Sequence, residues 1–312
     1  MSGVGSPAFL PPAGFIASPQ AMSRVFTPEE GRAYTRWLAT HHYENFHVVT
    51  FLLPKHLHQD FYNVYAYCRW ADDLGDEIGD PARSLELLAW WRDGLDRMYA
   101  GHATHPVFAA LAPTVERYQI PRQPFSDLID AFIQDQTVTR YPDWDALFAY
   151  CRNSANPVGR LVLYLCGYRD PERQRLSDAT CTALQLANFW QDVTVDLEKD
   201  RVYIPLEIMQ RHGYPLDALY ARRFTPAFAE VMREIVAKAR QLFFEGLPLA
   251  GMVDRRLAID LDLFSRGGLR VLDKIQAQGH DVLRARPRVG KLERAGLLLG
   301  SLARRAFAPR AA

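Results

Sequence analysis

Long apolar runs are missing from this chain. No stretch reaches 18 consecutive apolar residues, which excludes a transmembrane helix. The amino-terminal stretch has no charged segment followed by an apolar run, so no signal peptide is expected. Cysteine is scarce. Cys68, Cys151, Cys166 and Cys181 have no CxxC spacing and no histidine partner, which predicts ordinary core thiols in a reducing compartment. An excess of one charge is missing too. With 37 Lys and Arg against 36 Asp and Glu, the net charge is +1, so no global field favours nucleic acid, and no nucleic-acid partner is expected. There is no strand pattern of useful length, no repeat and no Walker-type glycine loop. Gly267-Gly268 is too little for a dinucleotide site.

The 312 residues are 48% hydrophobic and 12% aromatic, enough for a large core in one domain, or two at most. Helix signals punctuate the chain. Thr27-Pro28-Glu29-Glu30 is a capping box that opens a helix to about Thr40. Pro54 suits the first position of a helix over about 54–78. Asp80-Pro81 starts an amphipathic helix to Tyr99, and Gly101 ends it. Further helices are predicted from Pro106 to Tyr118 and from Phe125 to Gln136, with another behind the cap Asp143. The Asn156-Pro157-Val158-Gly159 stretch breaks that last helix, which resumes to Gly167. Pro171 to Glu198 reads as one long helix, Thr225-Pro226 opens another to about Leu247, and Met252 to Gln278 forms the next. The pattern predicts an all-α protein of eight to ten helices. Residues 1–25, rich in Pro, Gly, Ser and Ala, are expected to form a loose arm.

Two polar stripes interrupt this apolar background. In the first, Tyr65, Arg69, Asp72 and Asp76 share one helical face within roughly 60°. Asp72 and Asp76 lie one turn apart and repel, and no lysine follows them until Lys199. In the second, Gln185, Asn188, Asp192 and Asp196 share a face within roughly 80°, while Leu186, Phe189, Trp190, Val193 and Leu197 are core residues. A solvated acidic helix end is the plain alternative for the first stripe alone. Two such stripes together predict a ring of four carboxylates, and Mg²⁺ bridging them to a substrate phosphate would satisfy both charges. Lys199 and Arg201, about one turn beyond, either neutralise a phosphate or complement the helix end. Residues 284–310 carry eight Lys or Arg and one acid, interleaved with Leu297, Leu298, Leu299 and Leu302. Such a tail lies on an anionic membrane surface or frays into solvent.

Together, Asp72-x-x-x-Asp76 and Asn188-x-x-x-Asp192-x-x-x-Asp196 resemble the paired aspartate motifs of the squalene/phytoene synthase family. The resemblance continues in Tyr65-x-x-Cys68-Arg69, in Tyr150-Cys151 through Val158-Gly159, and in Arg201-Val202-Tyr203-Ile204-Pro205. It covers about residues 42–280. Glu44-Asn45-Phe46, Ser154-Ala155-Asn156-Pro157-Val158-Gly159-Arg160 and Asn188-Phe189-Trp190-Gln191-Asp192 look like the hydroxysqualene synthases of bacterial hopanoid clusters, which act on presqualene diphosphate. Two positions depart from relatives that couple prenyl diphosphates. Val195 stands where they often have Glu, and Ser154-Ala155-Asn156 where they often have Val-Ala-Gly.

The resemblance implies a single-domain, all-α isoprenoid-synthase bundle around a central cavity. It spans residues 26–283 between the arm and a basic amphipathic tail, 284–312. It implies that Asp72, Asp76, Asn188, Asp192 and Asp196 hold Mg²⁺ on the diphosphate. Arg69, Arg201 and Tyr203 would grip diphosphate oxygens, with His42 and Asn45 in a diphosphate-contacting segment. Tyr65, Tyr150 and Gln185 would line the cavity near the reacting carbons. The implied reaction is ionisation, rearrangement and capture by water to give hydroxysqualene, without NADPH. The implied setting is cytoplasmic, at most peripheral to the inner face of the membrane, beside other squalene-pathway enzymes. Two alternatives stay open. One is a synthase that couples farnesyl or geranylgeranyl diphosphate head to head. The other is an inactive assembly or lipid-binding relative, although such a chain would be expected to have lost aspartates and all four are present.

Overall fold

Proline and cap residues decide where the helices begin. The computed structural model describes residues 9–41, 54–290, 293, 295–298, 300 and 301. Among these there is no β-strand, only an isolated parallel bridge between Arg140 and Val202. The chain divides into two compact units, Met1–Gln136 and Thr137–Ala312.

The first unit holds α1 (Pro12–Ile16), α2 (Pro19–Ser23), α3 (Pro28–His41), α4 (His58–Asp76), α5 (Pro81–Tyr99), α6 (Pro106–Tyr118) and α7 (Gln123–Gln134). The predicted capping box forms: the Thr27 backbone N–H donates to Glu30 at 2.9 Å, and the Glu30 N–H donates to the Thr27 hydroxyl at 3.3 Å. Asp80 caps α5 by accepting from Ala82 N–H at 3.0 Å. The helix expected from Pro54 instead begins with a 3₁₀ turn, Lys55–Leu57, and becomes α-helical at His58. Helix α4 is central, packing against α3, α5, α6 and α7. Its Tyr67, Trp70 and Leu74 are fully buried. Trp70 Nε1 donates to the Tyr34 hydroxyl at 3.0 Å, so its one polar atom is satisfied.

The arm is not loose where it is described, from residue 9 onward. Phe15 is 4% exposed, its ring 5.4 Å from Trp70 and 4.8 Å from His105. The Tyr34 hydroxyl donates to the Leu10 carbonyl at 3.0 Å. The burial of one aromatic ring outweighs the flexible composition around it. Phe15, Met22 and Arg24 line a cavity of about 350 Å³ with Trp90, Arg97 and His105.

The second unit holds α8 (Trp144–Ser154), α9 (Asn156–Leu165), α10 (Pro171–Glu198), α11 (Leu206–Arg211), α12 (Leu216–Tyr220), α13 (Pro226–Gly246) and α14 (Arg255–Ala277). Here α10 is central, against α8, α9, α13 and α14. The predicted break falls at Ala155, and Asn156 fixes it: its buried side chain accepts from the Thr182 hydroxyl of α10 at 2.9 Å. Asp143, Asp170 and Thr225 cap α8, α10 and α13 through their side chains. No helix among the described residues is long and apolar enough to cross a membrane.

Candidate active site

Each unit presents one polar stripe on its central helix. In the first, Tyr65, Arg69, Asp72 and Asp76 are all half-buried on α4. The Arg69 guanidinium lies 2.5 Å from Asp73 and 3.5 Å from Asp72, spacings of four and three residues along the helix. Asp73 itself is 8% exposed, so Arg69 holds a buried carboxylate in place as well as facing the stripe. This pairing was visible in the spacing, but Asp73 was not among the expected site residues. His42 and Asn45 lie outside the described residues.

In the second unit, Gln185, Asp192 and Asp196 are half-buried on α10 and Asn188 is exposed. Asp192 and Asp196 are one turn apart. Burial pushes the Asp196 carboxyl up to about 7, Asp192 adds to the rise, and Arg201, Lys199 and Arg286 pull it back. The segment after α10 turns sharply at Asp200, whose φ of 55° is left-handed. It is then pinned beside residues 139–142: Val202 N–H donates to the Thr139 carbonyl and Leu206 N–H to the Tyr141 carbonyl, both at 2.9 Å. Arg140 secures the turn by donating to the Asp200 carboxylate at 2.6 Å. Arg201 is thereby held next to Asp196: its backbone N–H donates to the Asp196 carbonyl at 2.9 Å.

Tyr203 and Tyr150 are 7% and 4% exposed, within an aromatic layer. The Tyr203 ring stacks on Phe189 at 3.6 Å and 5°, and lies 5.7 Å from Tyr141 and 6.0 Å from Tyr150. Phe189, Asp196, Arg201 and Tyr203 line a small cavity of about 10 Å³, close to the space of one water. Rings and carboxylate thus meet at one end of α10.

The residue that the sequence did not single out is Arg286. Its guanidinium forks onto Asp192, donating through Nε to Oδ1 and through a terminal nitrogen to Oδ2 at 2.9 Å. Nothing in the sequence separates it from the other cations of the basic stretch. The stretch begins here as a strap across α10, not as a free tail: Gln191 donates to the Pro287 carbonyl, and Pro287 is buried.

Among the described residues no three His, Cys, Asp or Glu side chains converge as a ready metal cage. Mg²⁺ does not ask for one, since it is commonly held by one or two carboxylates together with substrate phosphate and water. The donor set suits it: hard carboxylate oxygens, one turn apart, with a guanidinium already drawn to one of them. Each stripe offers such carboxylates, Asp72 and Asp76 on α4, and Asp192 and Asp196 on α10.

Residues 39–293 match the family described as squalene/phytoene synthase. The chain belongs to that family. Within it, the chain is 34% identical over 270 residues to a phytoene synthase of Thermus thermophilus, covering 86% of this chain and 91% of that protein. It is 32% identical over 246 residues to a hydroxysqualene synthase of Rhodopseudomonas palustris, covering 77% and 82%. The solved squalene synthase of Alicyclobacillus acidocaldarius superposes with a TM-score of 0.78 at 42% identity, over 85% of this chain and 98% of that one. A ligand-bound dehydrosqualene synthase superposes with a TM-score of 0.79 at 22% identity, over 89% and 97%, a likeness of fold. The fold is therefore the all-α isoprenoid-synthase bundle, and the family is one of isoprenoid synthases.

Proposed function

We propose that this chain ionises presqualene diphosphate and closes the resulting cation with water, releasing hydroxysqualene and diphosphate in squalene and hopanoid biosynthesis. The observation that carries the reading is the junction at the end of α10. There a carboxylate pair flanked by Arg201 adjoins the stacked rings of Phe189, Tyr203 and Tyr150. Bond cleavage separates a diphosphate anion from a carbocation, and these two surfaces suit the two products.

Asp72, Asp76, Asn188, Asp192 and Asp196 would hold Mg²⁺, which would neutralise charge on the leaving diphosphate. Arg69 and Arg201 bind its oxygens, helped by His42, Asn45 and Tyr203. Tyr65, Tyr150 and Gln185 face the reacting carbons, and the buried rings keep bulk water away from the cation. Two features favour capture by water over coupling. Val195, 43% exposed beside the stripe, adds no further carboxylate. The Ser154 hydroxyl is buried and has no hydrogen-bond partner among the described residues, so it suits a bound water. The reading needs no NADPH. It keeps the protein in the cytoplasm, with the basic stretch beyond Gly290 touching an anionic membrane surface beside other squalene-pathway enzymes.

A second reading, head-to-head coupling of two prenyl diphosphates, is favoured by the 34% identity to a phytoene synthase. Incubation with presqualene diphosphate and Mg²⁺ in ¹⁸O-water, without nicotinamide, separates the two. The expected product is a C30 alcohol carrying the label. An unlabelled hydrocarbon, or turnover only of farnesyl or geranylgeranyl diphosphate, would replace the proposal with the second reading.

A further inference from the structure

The strap over α10 is built with fixed ends and a releasable middle. At one end, Val282 and Leu283 are buried, and Asp281 accepts from the Arg284 N–H at 3.0 Å. At the other, Glu293 accepts from the Gly290 N–H at 2.8 Å, from Arg270 at 2.7 Å, and pairs with Lys274 at 2.9 Å. Between these anchors, residues 285–290 adopt no regular structure. Two side-chain contacts tie the middle to the stripe helix, Gln191 to the Pro287 carbonyl and Arg286 to Asp192, while Gln278 donates to the Ala285 carbonyl at 3.1 Å.

We propose that Arg286 is a resident counter-cation of the second stripe, displaced from Asp192 by a divalent ion, and that its displacement loosens the middle of the strap. The inference rests on the reading of Asp192 as a metal ligand. Asp192 and Asp196 repel across one turn, and a cation on Asp192 relieves that repulsion when no metal does. The Arg286 side chain is 39% exposed and that of Asp192 13%, so the arginine stays in reach of water, where a competing ion can replace it. A doubly charged ion with a preference for oxygen outcompetes it. Both oxygens of Asp192 are engaged by the guanidinium fork, so ion and arginine cannot hold them together. With Arg286 released, the strap loses its charged tie to α10, while Gln191, Gln278 and the anchors at Asp281 and Glu293 keep it in reach.

The test uses the full chain, Mg²⁺ alone as the probe, calorimetry for affinity and hydrogen exchange for the strap. Arg286→Gln is expected to bind Mg²⁺ at least about fivefold more tightly than the parent, because the ion pair no longer competes. Arg286→Lys, which keeps the charge but not the fork, falls between them. In the parent, Mg²⁺ speeds amide exchange over residues 285–290. In Arg286→Gln, exchange there is already fast and does not respond. Affinity unchanged or weakened in Arg286→Gln, or strap exchange indifferent to saturating Mg²⁺, overturns the proposal. Asp192→Asn separates the two levels. Loss of Mg²⁺ binding in that variant with no effect of Arg286→Gln removes the strap mechanism alone. Mg²⁺ binding untouched by Asp192→Asn removes the metal-ligand reading, and this proposal with it.

Discussion

Asp260 on α14 is 1% exposed, and neither carboxylate oxygen has a hydrogen-bond partner among the described residues. Burial pushes its pKa up to about 8, with Asp254 nearby adding to the rise. The folded chain thus keeps this proton to about pH 8, whereas the unfolded chain gives it up near the ordinary 3.8. Between those values the folded state binds more protons, so stability falls as pH rises, by up to about 1.4 kcal/mol per unit from this group. Asp196, raised to about 7, acts in the same direction. Asp260→Asn keeps the shape and removes one titration. Denaturation midpoints taken from pH 5 to 8 should therefore decline less steeply in the variant, and identical slopes would mean that Asp260 finds a partner in solution.

Helix starts were legible because their signals are local. Thr27-Pro28, Asp80-Pro81, Asp143 and Thr225-Pro226 each head a helix where expected, and Pro171–Glu198 forms one helix with the expected bounds. The stripes were legible for the same reason, since a period of 3.6 residues sorts side chains onto faces before any packing is known. What stayed hidden depends on distant partners. Phe15 is ordered by Trp70 and His105, and Arg286 meets a carboxylate 94 residues away. Helix crossings were hidden too. Gly31 on α3 sits against α6 so closely that an added Cβ would lie 2.4 Å from the Pro106 carbonyl oxygen and 2.9 Å from the Ala110 nitrogen. Backbone atoms cannot rotate away as a side chain can, so Gly31→Ala must force the two helices apart. The cost is about 1–3 kcal/mol, read as a lower denaturant midpoint, and an unchanged midpoint would show slack at the crossing.

One stripe belongs to each unit, Asp72 and Asp76 to the first and Asn188, Asp192 and Asp196 to the second. If both serve one ionisation, neither unit suffices for it. Asp72→Asn and Asp192→Asn should each lower turnover about a hundredfold or more with unchanged circular dichroism. The double variant should lose far less than the product of the two losses, because groups acting as one device are not additive. Losses that multiply would assign the stripes to separate tasks. The four thiols are divided between the same units, Cys68 in the first and Cys151, Cys166 and Cys181 in the second. Burial pushes Cys68, Cys151 and Cys166 up to about 12 and Cys181 to about 11. At neutral pH almost no thiolate is present in the folded chain, so alkylation is slow until an opening event brings a thiol into water. The chain therefore carries a chemical clock in each half, and the order in which its cysteines acquire adducts records which half opens first.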